Sequence, residues 1–235
     1  MNQFIYKVLM FLLKNNIKGL VKRRKFENLK SLFSFHFKKE PFHPCRETLY
    51  KSLKLCEYKP LTIIETGSSA WGANSSVLFD SYVNSFGGSF DTVDIRTFPM
   101  LHLIFKCTSK TNFHCGDSVN FLKELNVNDM NQNLRKFIYL DSFDVDFNDP
   151  IPSMEHGLNE FLKIQSHLKS GDIILIDDTP KNYDVLLKVQ GIEVAQKFKS
   201  DDKIPGKGSL IKDYVIKNNL CEIIDQDYQL LLKFK

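Results

Sequence analysis

The sequence predicts an α/β fold built on a doubly wound, mostly parallel β-sheet with helices on both faces. Five short segments rich in Ile, Val, Phe and Thr alternate with helical stretches: Leu61–Glu65, Ser89–Asp94, Thr111–His114, Phe137–Asp141 and Asp172–Asp177. Alternation of strands and helices is typical of βαβ units, which form parallel sheets. Two of the segments contain the continuous apolar runs Leu-Thr-Ile-Ile and Ile-Ile-Leu-Ile, as expected for strands covered on both faces.

Apolar residues at helical spacing indicate the elements that connect these strands. They predict helices over Arg46–Tyr58, Ser75–Phe86, Asp117–Leu125 and Met154–Leu168. The last helix stops before Gly171, just past Lys169, which is a good helix end. The tail segments Cys221–Ile224 and Tyr228–Phe234 flank the turn Asp-Gln-Asp, so we expect a closing antiparallel hairpin.

The N-terminal segment differs from the rest in charge. The 235 residues carry a formal net charge of +4, but residues 1–40 hold ten Lys and Arg against two Glu, which leaves −4 for the remainder. We predict a basic amphipathic helical leader over residues 1–40 and one domain over residues 41–235. The leader's apolar run is too short to span a bilayer and lacks the features of a secretory signal. Two interpretations stay open: a solvated helix that covers the domain, or peripheral contact with an anionic membrane or a partner.

Composition also limits the compartment and the partners. The five cysteines are scattered without a CxxC pair, which disfavours a zinc site and a disulfide framework and favours the cytoplasm. Because the body of the chain is acidic, it lacks the basic groove expected of a nucleic-acid enzyme. We therefore expect a small-molecule acceptor, and a homo-oligomer is left open.

The end of the first predicted strand carries the first ligand contacts. Ligands of doubly wound sheets bind outside the carboxyl ends of the strands. Here the chain reads Glu65-Thr-Gly67-Ser68-Ser69, and Gly67 lets the backbone turn closely beneath a ligand. The GxGxxG pattern that seats a pyrophosphate is missing. Glu65 would repel a phosphate and suits a cationic ligand, so we predict Glu65, Gly67, Ser68 and Ser69 as ligand contacts.

The next strand ends supply further polar groups. Asp94 follows the second strand, where its carboxylate can accept hydrogen bonds from both hydroxyls of a ribose. Asp117 follows the third strand and could bind an adenine amino group, and Ser118 is placed to cap the following helix. Asp141 ends the fourth strand and is expected at the same ligand.

These strand ends together resemble the class I methyltransferases over roughly Leu61 to Phe234. The motifs that carry the resemblance are Glu65-Thr-Gly67, Val93-Asp94-Ile95, Gly116-Asp117-Ser118, Tyr139-Leu140-Asp141 and Gly171 to Asp178. The resemblance implies the seven-stranded Rossmann-like fold of that family, with its reversed hairpin, and S-adenosylmethionine as cofactor. The opening loop departs from the usual glycine pattern, with Trp71 and an extra residue before Gly72.

The Glu-Thr-Gly start and the Asp-Asp end are most similar to a subgroup that includes macrolide-sugar O-methyltransferases and cephalosporin-tailoring enzymes. This similarity implies O-methylation of a small hydroxylated acceptor, such as a sugar of a polysaccharide or of a glycosylated metabolite. Two other function classes stay open. One is a nicotinamide-dependent oxidoreductase, and the other is a non-catalytic protein of this fold that acts through its basic leader.

Three carboxylates, Asp141, Asp177 and Asp178, end two strands that are neighbours in such a fold. They would repel one another unless a cation or raised pKa values relieved them. Mg²⁺ prefers oxygen ligands, and bound to an acceptor hydroxyl it would lower the pKa of that hydroxyl. We therefore predict a Mg²⁺ site here, with a solvated strand end as the alternative.

The general base has two candidates. The resemblance implies a histidine shortly after the first metal aspartate, but Asp144 stands there in this sequence. The next histidine is His156, which we expect at the start of a helix from where it could reach back over the site. The glycine-flanked Lys207 lacks the spacing of a phosphate loop. We expect a flexible surface loop there, with recognition of a phosphate or carboxylate by Lys207 as the alternative.

Overall fold

The computed structural model describes residues 23–57, 59–68, 73–125 and 133–235. Residues 1–22 of the predicted leader lie outside the described residues. The same holds for the predicted ligand contact Ser69 and for Trp71 and Gly72 of the opening loop.

One seven-stranded sheet forms the centre of the structure, as predicted. Its strands are β1 (Leu61–Thr66), β2 (Gly88–Asp94), β3 (Thr111–Cys115), β4 (Arg135–Leu140), β5 (Ile173–Ile176), β6 (Cys221–Gln226) and β7 (Leu230–Phe234). Their order across the sheet is β3-β2-β1-β4-β5-β7-β6. The first five are parallel, and β7 runs antiparallel to both β5 and β6. The predicted closing hairpin is therefore confirmed.

The chain builds the sheet outward in two directions from β1 and β4, so their carboxyl ends form a crevice where strand order reverses. Gly67 follows β1 with a φ of +79°, and a Cβ atom at this position would lie 2.2 Å from the backbone oxygen of Asp141. Only glycine fits this approach between the ends of β1 and β4.

Helices cover both faces of the sheet. Nine α-helices lie within the described residues: α1 (Leu29–His36), α2 (Arg46–Lys54), α3 (Ser75–Phe86), α4 (Thr97–Ile104), α5 (Ser118–Glu124), α6 (Ile151–Ile164), α7 (Tyr183–Gln190), α8 (Ile192–Ala195) and α9 (Ser209–Lys217). None of these described helices combines the length and the apolar character that crossing a bilayer requires.

Alternate residues of the strands point into two apolar clusters. On one face, Ile63 and Tyr139 pack with residues of α1, α2 and α3. On the other face, Ile64, Ile138 and Leu140 pack with residues of α5, α6 and α9. Burial of the strands on both faces explains their continuous apolar runs.

The described part of the leader belongs to this core. Asn28 caps α1 by accepting a hydrogen bond from the Ser31 backbone N at 2.9 Å. Leu29, Leu32 and Phe33 on α1 are buried in the same cluster as β1 and β4. A boundary at residue 40 therefore does not separate two packing units.

Four helices, α4, α7, α8 and α9, were not predicted, and three predicted helices have different ends. The helix from Arg46 ends at Lys54, and α5 begins at Ser118 with Asp117 as its cap. α6 begins at Ile151 with Pro152 inside its first turn, where proline is tolerated because the first N–H groups have no helical partner. His156 therefore lies one turn further into the helix than expected.

The outer strand β6 pairs with β7 in an irregular register. The pairing shifts between Ile223 and Asp225, which is the mark of a β-bulge. Glu222 next to it is exposed.

Glu65 is a fully buried carboxylate at the end of β1. Its oxygens accept hydrogen bonds from the hydroxyls of Ser75 (2.5 Å), Ser76 and Thr92 (2.7 Å). Burial raises its pKa from 4.5 to about 7, although the three hydroxyl donors oppose the rise. The carboxylate therefore fixes the start of α3 against β1 and β2.

Leu32→Ala tests whether α1 is part of the core. We expect a loss of about 2–5 kcal/mol in the free energy of unfolding, because the change removes buried methyl groups and leaves a cavity. The exposed Lys30→Ala on the same helix is the control and should stay within about 0.5 kcal/mol of wild type. Urea unfolding measures both variants. Equal, small losses would mean that α1 does not pack as described.

Glu65→Gln tests the burial of the carboxylate. A folded-state pKa above the unfolded value favours the protonated form, so wild-type stability falls as pH rises through the interval from 4.5 to about 7. A pKa shift of this size corresponds to about 3 kcal/mol in the free energy of unfolding. Unfolding measured across this range should show the fall in wild type but not in Glu65→Gln. Parallel pH profiles for the two proteins would contradict the assignment.

Candidate active site

A cavity of about 370 Å³ opens at the carboxyl ends of β1 to β4, at the crevice where strand order reverses. Its lining comes from the ends of these four strands and from α6: Gly67, Val93, Asp94, Ile95, Arg96, Gly116, Asp117, Ser118, Asp141, Ser142, Phe143, Asp144 and His156. The size lies in the usual range for ligand pockets. Seven predicted site residues are therefore brought together here.

Asp94 ends β2 with its side chain almost fully buried at the cavity. Its Oδ1 accepts a hydrogen bond from the Arg96 backbone N at 2.7 Å. The Arg96 guanidinium donates to both oxygens, from Nε to Oδ1 at 3.1 Å and from Nη2 to Oδ2 at 3.0 Å. The Arg96 side chain is 59% exposed, so it can turn toward solvent when a ligand needs the carboxylate.

The residue that caps α5 differs from the predicted one. Asp117 is the cap of α5, and its Oδ1 accepts a hydrogen bond from the Asn120 backbone N at 2.8 Å. Ser118 is the first residue of the helix, and its hydroxyl lies 3.0 Å from Nε2 of His156. The expectation that Ser118 caps the helix was wrong, and both residues line the cavity.

His156 is held by a polar network on α6 and after β4. Its Nε2 lies 2.9 Å from the Ser142 hydroxyl and 3.6 Å from Oε1 of Glu160. The Ser142 hydroxyl in turn donates to Oε1 of Glu160 at 2.6 Å. Phe143, which has a positive φ of 57°, stacks on the imidazole with ring centroids 5.2 Å apart. These contacts fix the plane and position of the ring at the cavity.

Next to this cavity lies a cluster of three carboxylates, which we call the carboxylate cluster: Asp141, Asp177 and Asp178. One oxygen from each lies within 4.8 Å of the others, close enough for a single metal ion. Asp178 has a positive φ of 42°, a backbone conformation that turns the chain sharply after β5.

Lys207 supplies a positive charge inside the carboxylate cluster. Its Nζ donates to Oδ1 of Asp141 at 3.1 Å and lies 3.7 Å from Oδ2 of Asp178. The side chain is fully buried. The expectation of a flexible surface loop at this position was wrong, because a buried ammonium is stabilised by opposite charges that the sequence places far away.

The pKa values of the cluster follow from burial and charge. Burial and the charge of Asp177 raise the pKa of Asp141 well above its usual range, and Lys207 opposes this. The same causes raise the pKa of Asp178. Burial lowers the pKa of Lys207, but the charges of Asp141, Asp178 and Asp177 outweigh it and raise the pKa above its usual value. Lys207 is therefore an ammonium ion at neutral pH.

Neutral donors satisfy further oxygens of the cluster. The Tyr228 hydroxyl donates to Oδ1 of Asp178 at 2.8 Å, and Nε2 of Gln229 donates to Oδ1 of Asp177 at 2.7 Å. Mg²⁺ requires about six oxygen ligands near 2.1 Å. The cluster has the oxygens for such an ion, but the protein's own donors, Lys207 foremost, hold them. Metal binding stays a prediction, and the described arrangement fits an ammonium better than a metal.

The remaining predicted residues lie at or near the cavity. Asp144 lines it and is exposed. Glu65 and Ser68 are buried beneath it, with the Ser68 hydroxyl 2.8 Å from that of Thr92. Neither is among the described lining residues, so their binding of a ligand stays a prediction.

Three residues of the site were missed, Arg96, Ser142 and Glu160, and Lys207 was named only as an alternative contact for a phosphate or carboxylate. Arg96 and Ser142 each follow a predicted aspartate within two positions, and Glu160 lies one helical turn after His156, so their neighbours in the sequence could have indicated them. Lys207 had no such local indication.

The sequence and the fold can be compared with those of known proteins. No protein-family model matches the sequence, and no curated protein matches it significantly. The solved structures of similar fold include the following three. Two are of the MycE methyltransferase from the mycinamycin biosynthetic pathway, one with Mg and SAH and one with Mg, SAH and mycinamycin VI, each at a TM-score of 0.58 and 14% identity. The third is an O-methyltransferase from Bacillus cereus in complex with SAH, at 0.53 and 12%.

The fraction of each chain that the match covers differs between these proteins. The match covers 90% of this chain but 55% of the MycE chain, so this chain spans about half of that protein's length. The match to the Bacillus cereus protein covers 97% of both chains. At these identities the similarity concerns the fold. The chain has the Rossmann-like fold of the class I methyltransferases.

Proposed function

We propose that the protein is an S-adenosylmethionine-dependent O-methyltransferase that acts on a small hydroxylated acceptor. The observation that carries the proposal is the convergence of Asp94, Asp117 and His156 on one cavity at the strand reversal. Two carboxylates suit a nucleoside, and an oriented histidine suits removal of a proton from a hydroxyl. Solved structures of similar fold contain SAH, which supports this choice of cofactor.

The residues that line the cavity suit the polar groups of the cofactor. Asp94 would accept hydrogen bonds from the ribose hydroxyls once Arg96 turns away, and Asp117 would contact the adenine edge. The carboxyl group of Asp141 offers hydrogen-bond acceptors on the side where an amino group would lie, and Gly67, which has no side chain, leaves room at the end of β1. When bound, S-adenosylmethionine supplies the methyl group that is transferred to the acceptor oxygen, leaving S-adenosylhomocysteine.

His156 is our candidate for the base that takes the proton of the acceptor hydroxyl. Because Ser142 donates to Glu160, the lone pairs of the Ser142 oxygen are free to accept a hydrogen bond from Nε2–H of His156. The neutral ring then has Nδ1 as its basic nitrogen. After the proton arrives, the buried carboxylate of Glu160 stabilises the imidazolium, with Nε2 and Oε1 3.6 Å apart.

Asp144 is the second candidate base, and its position at the cavity is the main support for this role. It lines the cavity beside Phe143, whose side chain is 54% exposed. The carboxylate and the ring together offer hydrogen-bond acceptors and an apolar face to a sugar-like acceptor. The mycinamycin bound to MycE is likewise a small molecule. A sugar acceptor is a finer proposal that rests on the resemblance of motifs. The Mg²⁺ that the same resemblance implies would have to compete with Lys207 for the oxygens of Asp141 and Asp178.

Asp94→Asn tests the cofactor assignment. We expect the Kd for S-adenosylmethionine to rise by roughly 5- to 150-fold, equivalent to about 1–3 kcal/mol, because charge-assisted hydrogen bonds to the ribose are lost. Asp91→Asn on the same strand is the matched control, since Asp91 pairs with His114 outside the cavity. Isothermal calorimetry measures both, with NAD as a competing ligand. Tighter binding of NAD by wild type would favour the oxidoreductase, and binding of neither would favour a non-catalytic protein.

His156→Gln tests the base. With a panel of hydroxylated acceptors, we expect kcat to fall by about 10²–10⁴-fold while the Kd for the cofactor stays close to that of wild type. Glu160→Gln should give a smaller loss, because it acts through the orientation of the ring. His167→Gln, just beyond α6, is the control and should retain full turnover. Full turnover in His156→Gln would transfer the role to Asp144.

A further inference from the structure

We propose that the ammonium of Lys207 is the resident cation of the carboxylate cluster, held by oxygens that a divalent metal would need, and that it positions Asp141 for a metal-independent reaction. This proposal rests on the proposed function, because Asp141 lines the cofactor cavity. Lys207 is not among the described residues that line the cavity. It is therefore a positioning residue that acts through Asp141.

The first support is competition for the same oxygens. Lys207 Nζ bridges Oδ1 of Asp141 and Oδ2 of Asp178, at 3.1 Å and 3.7 Å. A Mg²⁺ ion bound to these two oxygens at about 2.1 Å would share them with Nζ. Two cations that share oxygens in a buried site repel strongly, since little water screens them. The ammonium and the metal therefore compete for the same oxygens.

The second support is that the backbone around Lys207 is locked in place. The Lys207 backbone N donates to the Asp178 backbone oxygen at 3.0 Å, and the Gly208 backbone N donates to Oγ1 of Thr179 at 2.9 Å. A Cβ atom at Gly206 would lie 2.4 Å from the Asp178 backbone oxygen. The segment is thus fitted to the turn after β5, and Lys207 cannot leave without breaking these contacts.

A third support comes from α6, on the opposite side of the segment. A Cβ atom at Gly157 would lie 2.7 Å from the Lys207 backbone oxygen and 3.2 Å from its Cγ. Glycine in the middle of a helix costs roughly 0.5–1 kcal/mol relative to alanine. Here it gives the room that Lys207 needs. Gly157 directly follows His156, so the helix that carries the candidate base is also shaped around the lysine.

The functional consequence concerns the proton of the acceptor. A divalent metal would lower the pKa of a bound hydroxyl, whereas a buried ammonium held by two carboxylates offers no open coordination position. Proton removal therefore depends on a side chain such as His156. The ammonium opposes the rise in the pKa of Asp141 and holds its carboxyl group beside the cofactor cavity.

The first experiment follows the binding of Mn²⁺ to the full chain by electron paramagnetic resonance, where the sharp signal of the free ion disappears on binding. Wild type should leave Mn²⁺ free. Lys207→Met keeps the length and loses the charge, so three carboxylates within 4.8 Å lose their cation and the variant should bind one Mn²⁺ per chain. Lys203→Met is the matched control, because Lys203 is exposed and pairs with Asp213 on the surface. It should behave like wild type.

The second experiment measures methyl transfer with and without a chelator. Wild type should be equally active in both. Lys207→Met should lose about 10- to 100-fold in kcat, the usual loss when an outer-shell partner is removed, and should regain activity with added Mg²⁺. A purely structural role would not give metal-dependent recovery. Lys207→Arg, which keeps the charge, should retain activity in the chelator.

Several outcomes would overturn the proposal. Wild type that binds Mn²⁺, or that needs Mg²⁺ for turnover, would make the metal the resident cation. A folded Lys207→Met that keeps full activity in the chelator, or that neither binds Mn²⁺ nor recovers with Mg²⁺, would remove the role of the lysine. If Lys207→Met does not fold, the two wild-type measurements decide. Failure of wild type to bind S-adenosylmethionine would instead overturn the proposed function, since Mn²⁺ can be titrated without the cofactor.

Discussion

The gathering of carboxylates at one edge of a parallel sheet is the constraint on which the rest of this structure depends. β4 and β5 end side by side, and their last residues bring Asp141, Asp177 and Asp178 within 4.8 Å of one another. Such a group is unstable without positive charge or donors. The fold supplies them from later parts of the chain: the ammonium of Lys207 and the hydrogen-bond donors of Tyr228 and Gln229.

The acidic groups around the crevice are stabilised in three different ways. Hydroxyls surround Glu65, a guanidinium covers Asp94, and an ammonium holds Asp141. The difference follows exposure. The Arg96 side chain is largely exposed and can give way to a ligand, whereas Lys207 is buried and fixed. The side of the cavity at the end of β2 can therefore adjust to a ligand, whereas the side at the end of β4 is held in place.

Much of this architecture could be predicted from the sequence because strands buried on both faces are continuous apolar runs and because ligand residues follow the strand ends. Asp94, Asp117 and Asp141 line the cavity, as this logic predicted, and their contacts with a ligand stay predictions. The role of Lys207 could not be predicted, since its partner Asp141 lies 66 residues away and a glycine-flanked lysine is typical of a surface loop. The helices α7 and α9 were missed because their apolar faces are short, although Asn182 caps α7.

The irregular pairing of β6 bears on how this molecule meets other copies of itself. An outer strand with a regular ladder offers a row of unpaired N–H and C=O groups to which a strand of another molecule can add. The bulge between Ile223 and Asp225 interrupts that row, and the exposed Glu222 places a charge beside it. Extension of the sheet across β6 into a second copy of the chain is therefore disfavoured.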